Sequence, residues 1–276
     1  MKIAFIGGGN MATALIAGLV KQMGAGVEVH VVDPHAEALG KMASQFGATT
    51  APVIDAAVGA CAVIVLAVKP QQMCDVAAAL APQLAHGPLA HGPLVLSIAA
   101  GIRSSDLSRW LGGYGAIVRT MPNTPALIGM GITGMVATPG VSDAQRAAAD
   151  RVLRAVGQTV WLDDEALIDP VTAVSGSGPA YVFYFLEAMQ AAAVEMGLDA
   201  EQGKALALAT FAGAAELAAQ SSEPLEVLRQ RVTSKGGTTY AAITSMEAAG
   251  VKEAIMAAMR AAAARGRELG DELGAG

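Results

Sequence analysis

The chain has 276 residues, 53% of them hydrophobic and 15% charged, with a net charge of −6. That is enough apolar material for one large domain or two ordinary ones, and the acidic balance excludes a general nucleic-acid binder, which needs a basic footprint. Aromatic residues contribute only 4%, so the core must be built from Ala, Val, Leu, Ile and Met.

The first half alternates short apolar runs with helical patterns. Residues 3–6, 27–32, 63–68 and 94–99 are nearly continuous Val/Ile/Leu-rich runs, which suit parallel strands covered on both faces. Residues 11–23 between the first two read as a helix, giving a βαβ unit of about thirty residues. Two further strands are expected at 114–121 and 132–137. Ser142-Asp143-Ala144-Gln145 is a capping box that opens a helix to about residue 156, and 159–162 reads as a last strand. A duplicated loop, His86-Gly87-Pro88-Leu89 and His91-Gly92-Pro93-Leu94, carries turn residues in both copies, and its two histidines make a poor metal site.

From Asp163 onward the strand signal stops. Ala-rich helices are expected at about 166–174, 179–196, 200–219, 225–232, 238–248 and 252–269. This shift predicts an α/β chain with a Rossmann-type dinucleotide-binding domain at 1–163 and an all-α dimerisation and substrate domain at 164–276. The stretch 180–194 is apolar almost all round, with Glu187 and Gln190 as the main interruptions. Such a helix needs burial on every side, more than a domain of this size supplies alone, so a subunit interface is expected.

Cys61 and Cys74 match no metal or redox spacing and read as buried thiols of a reducing compartment. The first residues run straight into glycines rather than forming a signal peptide, and the longest non-polar run, 56–68, is too short to span a bilayer. A cytoplasmic protein without membrane attachment is expected.

Gly7-Gly8-Gly9-Asn10-Met11-Ala12 fits G-x-G-x-x-A, between a strand and a helix as this motif requires. Gly7 permits the tight turn, Gly9 lets a pyrophosphate approach the backbone, and Ala12 allows close helix–strand packing. The second strand ends in Asp33, where an acid binds adenosine ribose hydroxyls and disfavours a 2′-phosphate. The other reading of Asp33 is a solvated turn residue, and His35 close by is available to assist a phosphate. Val68-Lys69-Pro70-Gln71 follows another strand at the end that faces a cofactor crevice, so Lys69 and Pro70 are candidate cofactor contacts, a solvated lysine being the alternative. Met121-Pro122-Asn123-Thr124-Pro125 is a stiff loop in which Asn123 lines the nicotinamide or substrate pocket or serves a structural turn. Ser175-Gly176-Ser177-Gly178-Pro179 reads first as a helix start, with Ser177 near the N-cap and Pro179 near the first position, and second as a pocket wall through Ser175. Val232-Thr233-Ser234-Lys235-Gly236-Gly237-Thr238-Thr239 reads either as an ordinary helix start with a Ser or Thr cap or as a site for a small carboxylate or phosphate, held by glycine amides at a helix N-terminus.

Together these motifs resemble the delta-1-pyrroline-5-carboxylate reductases. They occur in family order over nearly the whole chain, with Lys235 standing where the family usually has proline. The resemblance implies reduction of the cyclic imine pyrroline-5-carboxylate to L-proline by NADPH or NADH, and a helical domain that forms a homodimer, often within larger rings of dimers. It implies that Ser234, Gly236, Gly237 and Thr238 hold the substrate carboxylate, with Thr239 at the ring nitrogen. An iminium is already activated, so positioning matters more than a strong general acid. A β-hydroxyacid-type dehydrogenase is the competing enzyme reading, but residues 163–203 lack the lysine it needs. A non-catalytic nucleotide sensor is the other, and the intact Ser234/Gly236/Gly237/Thr239 set argues against it.

Overall fold

The computed structural model describes residues 1–85 and 92–275. The first copy of the duplicated loop, with His91, lies outside them. Eight strands form one sheet in the order β3-β2-β1-β4-β5-β6-β7-β8: β1 Lys2–Ile6, β2 Glu28–Val32, β3 Thr49–Ala51, β4 Val63–Leu66, β5 Leu94–Ser97, β6 Ile117–Met121, β7 Gly131–Ala137 and β8 Gly157–Trp161. All pairs are parallel except β6 with β7. The helices are α1 Asn10–Met23, α2 Ala36–Phe46, α3 Ala56–Gly59, α4 Met73–Ala85, α5 Ser104–Trp110, α6 Asp143–Arg154, α7 Ile168–Val171, α8 Gly178–Glu195, α9 Ala200–Gln220, α10 Leu225–Arg231, α11 Thr238–Ala248 and α12 Val251–Gly274.

The continuous apolar strands work as the sequence suggests. Successive side chains of β1 point to opposite faces, so Ile3 and Phe5 join a core with Leu15, Leu19 and Val152, while Ala4 and Ile6 join another with Met73, Leu80 and Leu107. Each such fully buried Leu, Ile or Phe contributes about 1.5–3 kcal/mol. The capping box forms as expected, with the Ser142 hydroxyl accepting from the Gln145 N–H.

The structure has two compact units, residues 1–177 with 262–276 and residues 178–261. This differs from the composition boundary near 163. The strands do end at Trp161, but the next turns stay with the sheet: Glu165 accepts from Arg119 on β6 (2.8 Å) and from the Ser104 N–H at the start of α5 (2.7 Å). Arg119 is almost wholly buried, and its Nε has no hydrogen-bond partner. The end of α12 packs in the same unit, where Arg103 binds Asp271 (2.6 Å) and Leu273 joins the second core.

The expected helix start at Ser177 is also different. After α7 comes a π-helical turn, Thr172–Gly176, and Ser177 is itself helical, at φ −85° and ψ −19°. Its N–H donates to the Thr172 carbonyl (2.8 Å). Ser177 is therefore no N-cap, because a cap residue must leave helical geometry.

In the helical unit, α8 and α9 pack closely at Ala193 and Gly203, and the only apolar side chains buried are Ala193 and Ala207. Phe183, Tyr184, Leu206 and Leu217 are exposed. Among the described residues, no helix is long and apolar enough to cross a membrane, and no cluster of His, Cys, Asp and Glu is placed to hold a metal ion.

Candidate nucleotide and substrate sites

The order of the sheet reverses between β1 and β4, which is where a doubly wound fold binds nucleotides. The glycine turn follows β1, and Val68-Lys69 follows β4. Both line an open cleft of about 510 Å³ together with Asp33, Pro34, His35, Pro52, Val53 and Ile54. Gly7 has φ +101°, and a Cβ there would lie 2.6 Å from the Ala67 carbonyl oxygen. By contrast, nothing lies within 4 Å of the corresponding position on Gly9, so the backbone there is open to an approaching group. Asn10 is exposed at the start of α1, Met11 is half-buried against the core, and Ala12 is buried. This loop therefore fits a pyrophosphate, with room at Gly9 and rigidity at Gly7. A Gly7→Ala variant carries strain of roughly 1–3 kcal/mol in addition to that clash. It is expected to weaken NADPH binding more than about tenfold, and unchanged binding by calorimetry would contradict this.

Asp33 is nearly buried. Its Oδ2 accepts the Gly8 N–H (2.8 Å), while Oδ1 accepts the His35 N–H (2.8 Å) and the His35 ring Nδ1–H (2.9 Å). Burial alone would raise its pKa, but the hydrogen bonds from Gly8 and His35 outweigh it and hold the carboxyl below the usual aspartate range. Lys69 is exposed on the cleft, and Pro70 opens a short 3₁₀ turn that ends at Gln72.

Asn123 and Ser175, nominated separately from sequence, come together. The Asn123 Nδ2 donates to Ser175 Oγ (3.2 Å), and Oδ1 accepts the Ile132 N–H (3.0 Å). Both ends of the amide thus staple the loop to its surroundings, and the π turn carries Ser175 to it. A π turn shifts the residues after it out of α-helical register and is frequent at functional sites. Gly176 admits the Met121 side chain, whose Cε would be 2.4 Å from a Cβ.

In the helical unit, Gly236 at φ +76° turns the chain, and the Gly237 N–H donates to the Ser234 carbonyl (3.0 Å). Gly237 is the N-cap of α11, and no side chain caps the helix. The Ser or Thr cap expected from the sequence is thus not formed. The Gly237 amide is already engaged, so the donors left by helix geometry are Thr238, Thr239 and Tyr240.

Sequence reasoning missed the wall of Pro52, Val53 and Ile54. It follows β3, three residues at the edge of the sheet with no alternation to read. The π turn was also missed, because an Ala/Val-rich segment reads the same in either helical form.

A family model described as "Pyrroline-5-carboxylate reductase dimerisation" matches residues 165–269, and one described as "NADP oxidoreductase coenzyme F420-dependent" matches 2–101. The pyrroline-5-carboxylate reductase of Pseudomonas aeruginosa is 47% identical over 274 residues, covering 99% of this chain and 98% of that protein. The chain belongs to the pyrroline-5-carboxylate reductase family. The reductase of Haemophilus influenzae is 41% identical and covers 97% of each chain. Among solved structures, a reductase from Coxiella burnetii matches with a TM-score of 0.89 at 37% identity, covering 97% of both chains. One from Plasmodium falciparum with NADP bound matches at 0.85 and 28%, covering 98% of both. This reductase is an NAD(P)H-dependent oxidoreductase that reduces the imine of 1-pyrroline-5-carboxylate, giving L-proline. Its helical part is a dimerisation domain through which the chain self-associates.

Proposed function

We propose that the nucleotide lies over Gly7, Gly9, Asn10, Met11 and Ala12 in the cleft, with its adenosine end toward Asp33 and its nicotinamide end toward Lys69, Pro70 and Asn123. When bound, it supplies a hydride from nicotinamide C4. The open backbone at Gly9 supports this placement. The substrate carboxylate rests on the first turn of α11, where Thr238 and Thr239 donate backbone N–H groups and Ser234 and Gly236 shape the approach. The lack of a side-chain cap on α11 carries this part of the reading. It moves the carboxylate contact from the engaged Gly237 amide to the turn that follows. The Thr239 hydroxyl orients the imine nitrogen. Ser175, with its Oγ accepting from Asn123, keeps its own proton to donate to the ligand.

Proline formation from pyrroline-5-carboxylate is expected with both NADPH and NADH. The placement fails if Ser175→Ala and Ser234→Ala leave the substrate KM unchanged.

The dimer face is the apolar surface of α8. Tyr184→Asp puts a charge where a partner must pack, so light scattering should show a monomer at micromolar concentration. A variant that stays dimeric would move the interface elsewhere. A ring of dimers is the further assembly we propose, supported by the exposed Leu206 and Leu217 on α9. A sedimentation mass above two chains is its test. A cytoplasmic setting fits Cys61, whose thiol burial pushes up to about 11, where it is protonated and inert at neutral pH.

A further inference from the structure

We propose that His35 is the side chain that reads the 2′ position of the adenosine ribose, and that Asp33 is a positioning residue that acts through Gly8 and His35. This rests on the nucleotide placement above. The expectation from sequence was a direct bond from Asp33 to the ribose hydroxyls. The structure gives its carboxylate other work: one oxygen braces the glycine turn at Gly8, and the other holds both the backbone and the ring of His35. The Asp33 side chain is 13% exposed and the His35 side chain 81% exposed, so the imidazole, not the carboxylate, is the group presented to a ligand.

The hydrogen bond decides what the ring offers. An ionised carboxylate only accepts, so the ring Nδ1 beside Asp33 Oδ1 carries a proton. The remaining ring nitrogen, Nε2, then accepts from a 2′-hydroxyl while the ring is neutral, or donates to a 2′-phosphate when it is protonated. One side chain thereby serves both nucleotides. The other charged groups on this cleft are Lys69 and Asp75, on the walls that follow β4. Neither is hydrogen-bonded to His35 in the way Asp33 is.

Calorimetric titration with 2′,5′-ADP and 5′-AMP tests this without turnover. Wild-type protein should bind both. His35→Ala should lower affinity for 2′,5′-ADP about tenfold or more, the loss of one charge-assisted hydrogen bond, and weaken 5′-AMP only about threefold, the loss of a neutral one. Asp33→Asn offers one acceptor and one donor where donors arrive on both sides, so both ligands should weaken and the ratio of their affinities should shift toward that of His35→Ala. The double variant should keep the His35→Ala ratio, an outcome that a merely structural Asp33 would not produce. If His35→Ala leaves both affinities unchanged, or Asp33→Asn raises the preference for 2′,5′-ADP over 5′-AMP above that of wild type, the carboxylate faces the ribose itself and the inference fails. If wild type binds neither ligand, the placement of the nucleotide fails first.

Discussion

Replacing Thr239 by alanine should lower kcat/KM for pyrroline-5-carboxylate by about ten- to hundredfold. The variant removes one hydrogen bond to a partly charged group, worth roughly 1.5–3 kcal/mol. Thr239 occupies the second position of α11, after the N-cap Gly237 and Thr238. Its backbone N–H remains in the variant, so the loss isolates the hydroxyl. Nucleotide affinity should be unchanged, because the glycine turn and Asp33 belong to the other compact unit. The natural control is Thr239→Ser, which keeps the hydroxyl and should recover most of the rate. An alanine variant with unaltered kcat/KM would reduce Thr239 to a helix-start residue. Lost nucleotide binding would assign this loop to the cofactor instead.

The largest expected loss of stability comes from Glu165→Ala. Arg119 is 4% exposed, inside the sheet, and Glu165 is the acceptor of its only ion pair among the described residues. The same Glu165 oxygen takes the Ser104 N–H. Removing it strands a buried guanidinium whose Nε already lacks a partner. Breaking a buried pair from one side costs about 3–5 kcal/mol, and because the Glu165 side chain is partly open to water we expect roughly 2–4. That corresponds to a fall in melting temperature of about 4–16 °C. Arg119→Met combined with Glu165→Ala should recover most of this loss, since no charge is then stranded. Equal losses in the single and double variants would show that packing, not the charge, sets the cost.

The continuity of the apolar strands was legible in the sequence because burial on both faces of a parallel sheet demands it locally. The glycine turn was legible for a related reason: Gly7 sits at a backbone angle and a closeness to Ala67 that no other residue accepts. The nearly all-round apolar run at 180–194 was legible too, because a helix with so little polar face needs cover. Each of these requirements is carried by neighbouring residues and leaves a trace in the local sequence. The three-residue β3 leaves none, because its place is set by pairing with β2. The π turn at Thr172–Gly176 is equally silent, being chosen by what Ser175 and Met121 meet across the unit. The tertiary structure also decided where the first unit ends, through the contacts of Arg119 and Ser104 with Glu165. It turned Asp33 toward Gly8 and His35, and it engaged the Gly237 amide within its own turn. The residue types at these positions were readable in advance, but a donor's choice among acceptors depends on distances that only the folded chain sets.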